Sequence, residues 1–441
     1  MDRKTCDVVV IGAGIGGMCL AARLGHAGYK TVVLERMPIL GGRYTFVDYK
    51  GYYLPVGAVV IWAGPKDPVY LTLKELNIDP EGFDLKVVPP QKWRIYGKDH
   101  EVQAKDGLWG VLGPACEDKQ EEEKIANALS RAFFWREPPD DITFMDWLHQ
   151  LTDNKTIHDV FHAICVMLVG PNAWEIPAGD LFRYARPYID VDAPMLLPRN
   201  GLRAVIDSLA KVITDNGGEI LKLARVQRII IDDGKATGVE AKGPEGELRI
   251  EAKAVISNAG PKKTVELAGE QNFDQAYLKD VGELKPWHGI SYIMSTNEPL
   301  YDSPGGLYTI DTRRPGIWAD MTLIWPEWAP KGKHWSYFYQ GTEAATSHDP
   351  AKEYQVFLAD LADTFPDFKE KGGEILLVHN YSSEWPTVRA WPPAERHRRT
   401  PVEDLYNVGD AVFPPGGYNG GSGAAVSARI VAEDIMARIK V

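Results

Sequence analysis

Cysteine is scarce in this chain. Cys6, Cys19, Cys116 and Cys165 are the only four in 441 residues, and no two form a C-x-x-C pair. That spacing excludes a zinc ribbon and a dithiol redox motif, and four in this length make no disulfide framework. Long apolar runs are missing too. The most apolar internal stretch, residues 161–170, is far shorter than the roughly 18 residues a membrane span needs. Positive charge is in deficit: 49 Lys and Arg face 61 Asp and Glu, a net charge of −12. Such a chain is a poor non-specific binder of nucleic acid or anionic membrane. Met1-Asp2-Arg3-Lys4 leads straight into a short apolar run and a glycine turn, which is not the pattern of a signal peptide. The expectation is a cytoplasmic protein with no nucleic-acid partner and at most a peripheral membrane contact.

What the chain does have is glycine, 42 residues of it, above the usual share of about 7 %. Its length allows two or three folding units. Residues 7–11 read Asp-Val-Val-Val-Ile, the continuous β-branched run of a strand buried on both faces of a parallel sheet. Gly12-Ala13-Gly14-Ile15-Gly16-Gly17 follows, containing G-x-G-x-x-G at 12, 14 and 17. A helix is expected over 18–26 and a second buried strand over 30–35, ending in Glu35. Gly12 permits the tight turn, Gly14 admits a pyrophosphate, and Gly17 allows close helix–strand packing. Gly16 belongs to the same turn, the helix start attracts phosphate, and Glu35 suits a ribose hydroxyl pair. Strand, turn, helix, strand and acid agree with one another, so the segment reads as a dinucleotide site.

Beyond Glu35 comes Arg36-Met37-Pro38-Ile39-Leu40-Gly41-Gly42-Arg43. Here the chain resembles the superfamily of FAD-dependent amine oxidases and phytoene-desaturase-like enzymes. The resemblance implies that Arg36, Gly42 and Arg43 lie along the FAD. It extends to the middle of the chain, where a helix is expected to about residue 216. Strand-like runs follow at 219–223, 226–231, 236–241 and 254–260. Val226 matches the valine that the family sets against the adenine. It is strong again near the C-terminus. There a strand ends in Gly409-Asp410, and Gly416-Gly417-Tyr418-Asn419-Gly420-Gly421-Ser422-Gly423 leads into a helix over 424–439. The resemblance places Gly409, Asp410, Gly417, Gly420 and Gly421 around the flavin.

The implied fold class is α/β. A Rossmann-like, glutathione-reductase-like FAD-binding domain is built from residues 1–88, 196–284 and 376–441. It is interleaved with a substrate domain of mixed antiparallel sheet plus helices, with a helical part over 89–195 and a sheet part over 285–375. In the sheet part, strands are expected over 321–325 and 334–340. The turn Ala-Pro-Lys-Gly-Lys-His at 329–334 resembles the phytoene-desaturase-like branch. Trp318, Trp325, Trp328, Trp335, Tyr337 and Tyr339 gather there, as a packed core or as an aromatic-lined pocket.

No second G-x-G-x-x-G occurs, so the expected acceptor of electrons is external: oxygen, a quinone or a carrier. The resemblance implies hydride transfer from a substrate C–H to flavin N5, with loss of a neighbouring proton giving a double bond. Tyr418 matches a position where amine oxidases set a ring over the flavin, and Trp385 is a candidate opposite wall. His288 is a candidate base, since imidazole exchanges protons near neutral pH; its plainer reading is a surface or core histidine. The lysine that amine oxidases place near the flavin has no match. The cysteine used for covalent attachment is absent from the C-terminal loop, so FAD is expected to be non-covalent. His158 and His162 stand four apart, but no third ligand accompanies them and no metal is expected. Three readings remain open. The first is a desaturase or dehydrogenase acting on a small apolar isoprenoid or alicyclic substrate. The others are an amine oxidase and a non-redox flavin isomerase or flavin-fold binding protein. Oligomeric state is left open.

Overall fold

The β-branched run after Cys6 becomes the middle of a seven-stranded sheet. The computed structural model describes residues 2–95, 101–103, 108–189, 194–391, 397–412 and 417–440. Strand Asp2–Ile11 pairs in parallel with Thr31–Glu35 on one side and Gly246–Ser257 on the other. Glu219–Lys222 extends the sheet past Thr31–Glu35, and Arg225–Asp232 with Lys235–Gly243 forms an antiparallel flap beyond Gly246–Ser257. Leu405–Asn407 returns from the far end of the chain to pair in parallel with Val255–Ser257. Val8, Val9 and Val10 are fully buried, as the unbroken apolar pattern requires.

Helix Ile15–His26 crosses one face of this sheet with Arg203–Asp215 and Gly420–Arg438 against it. A Cβ built on Gly17 would lie 2.2 Å from the Gly12 carbonyl oxygen. Only glycine lets the helix come down this closely.

A second seven-stranded sheet carries Glu374–Tyr381, Gly289–Thr296, His334–Gln340, Gly316–Asp320, Leu307–Thr309, Lys92–Arg94 and Glu101–Gln103, in that order. Side chains alternate between its faces. One face packs on helix Pro350–Thr364: Tyr292 stacks on Phe357 at 3.7 Å and Trp318 on Phe338 at 3.7 Å. The other face turns toward the dinucleotide sheet with Ile317, Ala319, Tyr337, Tyr339 and Tyr381. Trp318, Trp325, Trp328 and Trp335 are all buried. Five helices between Leu108 and Ile189 form a separate core around Phe144, Phe161 and Phe182.

Sheet membership cuts across the expected segment limits. Lys92–Arg94 comes from the stretch read as helical, and Glu374–Tyr381 straddles the limit at 376 and pairs along Gly289–Thr296. Pairing partners far apart in sequence decide this, and local pattern does not carry them. Residues 321–325 are not a strand. Asp320 accepts from the Thr322 N–H at 3.0 Å and opens a 3₁₀ turn, Met321–Leu323, as aspartate does when it competes with a ladder. Among the described residues, no helix is long and apolar enough to cross a membrane.

Candidate active site

The nest is built from close backbone approaches. Gly12 takes φ +94°, and its N–H donates to the Leu34 carbonyl at 2.8 Å. Gly14 precedes helix Ile15–His26, which has no side-chain cap and no acid in its first turn. The N–H groups of that first turn are therefore left for a ligand. A Cβ on Gly14 would stand 2.7 Å from Asn258 Nδ2, and one on Gly16 would stand 2.9 Å from Gly409 Cα. Glu35 closes the nest: its carboxylate accepts from the Ala13 and Met37 N–H groups, each at 2.8 Å.

The second glycine pair locks onto the first. Gly41 donates to the Ala13 carbonyl at 2.8 Å. Gly41 and Gly42 adopt φ +94° and +60°, where a side chain is strained. Arg43 then bridges two remote segments, pairing with the Asp410 carboxylate and donating to the Thr387 carbonyl. Arg36 pairs with Glu384.

A cavity of about 650 Å³ runs from Val226 past this nest to the tyrosine face of the second sheet. Of the residues singled out by sequence, Gly12, Gly14, Gly16, Glu35, Arg36, Gly42, Arg43 and Val226 line it. So do Gly409, Asp410, Gly420, Gly421 and Trp385. Gly17 stays behind the nest, where it sets the helix–strand distance. Gly417 packs elsewhere; a Cβ there would lie 1.9 Å from the Arg183 carbonyl oxygen. Gly416 lies outside the described residues.

Two candidate catalytic groups stand apart from the cavity lining. Tyr418 is half-buried, and burial raises its phenol above the ordinary value. His288 donates its backbone N–H to the Ala345 carbonyl at 2.6 Å and sets its ring edge-on to His348 at 5.5 Å. Burial and the neighbouring His348 both lower its imidazole. His288 stands between strands Lys285–Trp287 and Gly289–Thr296 with its ring against His348, outside the cavity lining. His158 and His162 bond separately, Nε2 of the first to the Thr152 carbonyl at 2.8 Å and Nε2 of the second to Asn172 Oδ1 at 2.9 Å.

Sequence reasoning passed over two groups. Asp67, 1 % exposed, lines the cavity, accepts from the Val69 N–H at 2.8 Å and from Ser422 Oγ at 2.7 Å. Burial holds its carboxyl above the usual range. Asp67-Pro68 is a helix-start signature, but nothing local shows that it meets the start of the C-terminal helix. The other group is a polar seam in the second sheet. Tyr381 donates to the Val56 carbonyl at 2.9 Å. His379 Nδ1 and Ser291 Oγ each approach the Tyr381 hydroxyl at 3.3 Å. Burial raises the Tyr337 phenol well above its ordinary value, and the neighbouring Tyr381 and Tyr339 add to that. Burial pushes the His379 imidazole down to about 4. The walls around the seam are apolar: Val166, Met167, Val169, Ile317, Ala319 and Met321.

A flavin dinucleotide fits these residues. A cradle that Cβ atoms would fill, an acid at a strand end and two helix starts all open on one continuous cavity. The cavity then continues into an apolar chamber of its own. Among the described residues, none of the four cysteines lines it.

Comparison with known proteins agrees with this reading. The profile of the family described as flavin containing amine oxidoreductase matches residues 15–436. The solved structure of an oxidoreductase from Methanosarcina mazei superposes with a TM-score of 0.82. It is 29 % identical and covers 97 % of this chain and 100 % of its own. Prolycopene isomerase of Arabidopsis thaliana is 26 % identical over 92 % of this chain and 79 % of its own length. A neurosporene-forming phytoene desaturase of Rhodobacter capsulatus is 27 % identical over 57 % of this chain and 52 % of its own.

Proposed function

The chain belongs to the flavin-containing amine oxidoreductase family and takes FAD as its cofactor. From that premise we propose that it is a dehydrogenase acting on an apolar isoprenoid or alicyclic substrate. The reaction removes hydrogen from two neighbouring carbons and leaves a double bond. The observation that carries this reading is the continuity of the glycine nest with an apolar, tyrosine-floored chamber. Bound flavin supplies an acceptor for a hydride. The chain's own residues bind and orient. Gly12, Gly14 and Gly16 admit the pyrophosphate, Glu35 receives the ribose, and Arg43 with Asp410 fixes the turn beside the flavin. Val166, Val169 and Met321 exclude water from the reacting carbons. Electrons leave to an external acceptor: oxygen, a quinone or a carrier.

Relatives named as desaturase and as isomerase support an isoprenoid substrate. The isomerase name also keeps a second reading in view, a rearrangement without net oxidation. Product analysis separates the readings. Incubation of the yellow protein with phytoene, prolycopene and cyclohexylamine is followed by mass spectrometry and a peroxide assay. The proposal expects a product short of two hydrogens from an isoprenoid. An isomer of unchanged mass would favour rearrangement, and peroxide formed only with the amine would favour an amine oxidase.

A further inference from the structure

The second sheet's wall of the cavity sets Ile317 and Ala319 beside Tyr337, Tyr339 and Tyr381. Tyr337 and Tyr381 present their rings to the cavity, and each is less than one-tenth exposed. Strand register sets the groups behind them. Ser291 lies opposite His379 on one side and Tyr339 on the other, so three neighbouring strands point polar side chains the same way. A wall for a hydrocarbon needs only rings, and phenylalanine would supply them without burying hydroxyls. Here the hydroxyls are gathered in a cluster, with contacts of 3.3 to 3.5 Å between Tyr381, Ser291 and His379. Tyr381 gives its own proton to the Val56 carbonyl, which leaves its oxygen to accept.

Resting on the dehydrogenase reading above, we propose that this seam binds a hydroxyl group carried by the otherwise apolar substrate. A hydroxyl both donates and accepts, so it satisfies the cluster however its protons are arranged. A bare hydrocarbon would bury the seam with nothing added to it. Sites that hydrogen-bond a substrate group discriminate strongly against analogues lacking it. The substrate would then be oriented from one end, with the hydroxyl at the second sheet and its carbon skeleton lying along Val166 and Ile317.

The test uses the FAD-loaded protein and a matched pair of probes, menthol and p-menthane, which share one carbon skeleton. Binding is read anaerobically from perturbation of the visible flavin band. The expected result is affinity for menthol at least about tenfold above that for p-menthane. Ser291→Ala, Tyr381→Phe and Tyr337→Phe should each shrink that ratio, with FAD content read from the same spectra. Three variants guard against one failing to fold. Equal affinity for the two probes, no perturbation by either, or a ratio that survives all three substitutions would overturn the proposal. Flavin bleaching by a hydrocarbon donor without any preference for the alcohol would sink the seam and leave dehydrogenation standing. Preference for the alcohol with no donor ever bleaching the flavin would do the reverse.

Discussion

His379 shows what a single half-buried ring contributes. Its imidazole falls from 6.5 to about 4 because burial disfavours the cation; the groups that face it are Ser291 and the Tyr381 phenol. The unfolded chain takes up this proton near pH 6.5, whereas the folded chain refuses it until about 4. Stability is therefore intact above 6.5 and declines as pH falls from 6.5 toward 4, by roughly 3 kcal/mol in all. His379→Gln should flatten that limb in urea unfolding measured across the window; an unchanged slope would count against a neutral half-buried ring. Ser422 makes a second case at this scale. Ser422→Ala removes one donor from the buried Asp67 carboxyl and should cost roughly 1–3 kcal/mol in the same assay. Both residues were illegible in the sequence, since each acquires its role from a partner 88 or 355 positions away. The nest glycines were legible because a turn between strand and helix is a local matter. His288 reads as a base by residue type alone, and its ring packs on His348 outside the cavity lining.

At the scale of elements, two contacts decide whether the cofactor site exists. Helix Ile15–His26 rests on its strand only because Gly17 has no side chain. Gly17→Ala puts a methyl 2.2 Å from a backbone oxygen. The helix must move off the sheet, at a cost of roughly 1–3 kcal/mol or more, and the purified variant should be nearly colourless. Full yellow colour with unchanged stability would contradict this account of the approach. Arg43 joins the Gly-Gly turn to the Gly-Asp strand end, which are 367 residues apart in the chain. Arg43→Ala breaks a charge-assisted pair worth roughly 1.5–3 kcal/mol, so FAD affinity should drop about 10- to 100-fold, read from the fluorescence of released flavin. The parallel core strands, the crossover helix and the C-terminal helix were readable from apolar period and glycine placement. The order of the second sheet was not, because strands drawn from residues 92, 289 and 374 onward, the first paired in parallel and the others antiparallel, declare no partner in their own pattern. The aromatic residues read ambiguously for a related reason: strand alternation sends Trp318 and Phe338 to the helix-covered core and Tyr337 and Tyr339 to the cavity.

For the whole molecule, the sheet made from both ends and the middle of the chain holds the cofactor, and the other sheet closes the chamber over it. The four cysteines are free, so no disulfide ties the two sheets together. The account's central claim is that the chamber presents an apolar C–H donor to the flavin. Anaerobic mixing of the FAD-loaded protein with candidate donors, followed by the visible flavin band, tests that claim most directly. The band should bleach with an isoprenoid or alicyclic donor, at a rate that saturates with donor concentration, and should stay unchanged with primary and secondary amines. Bleaching by amines alone, or a band that no donor of either kind diminishes, would contradict it.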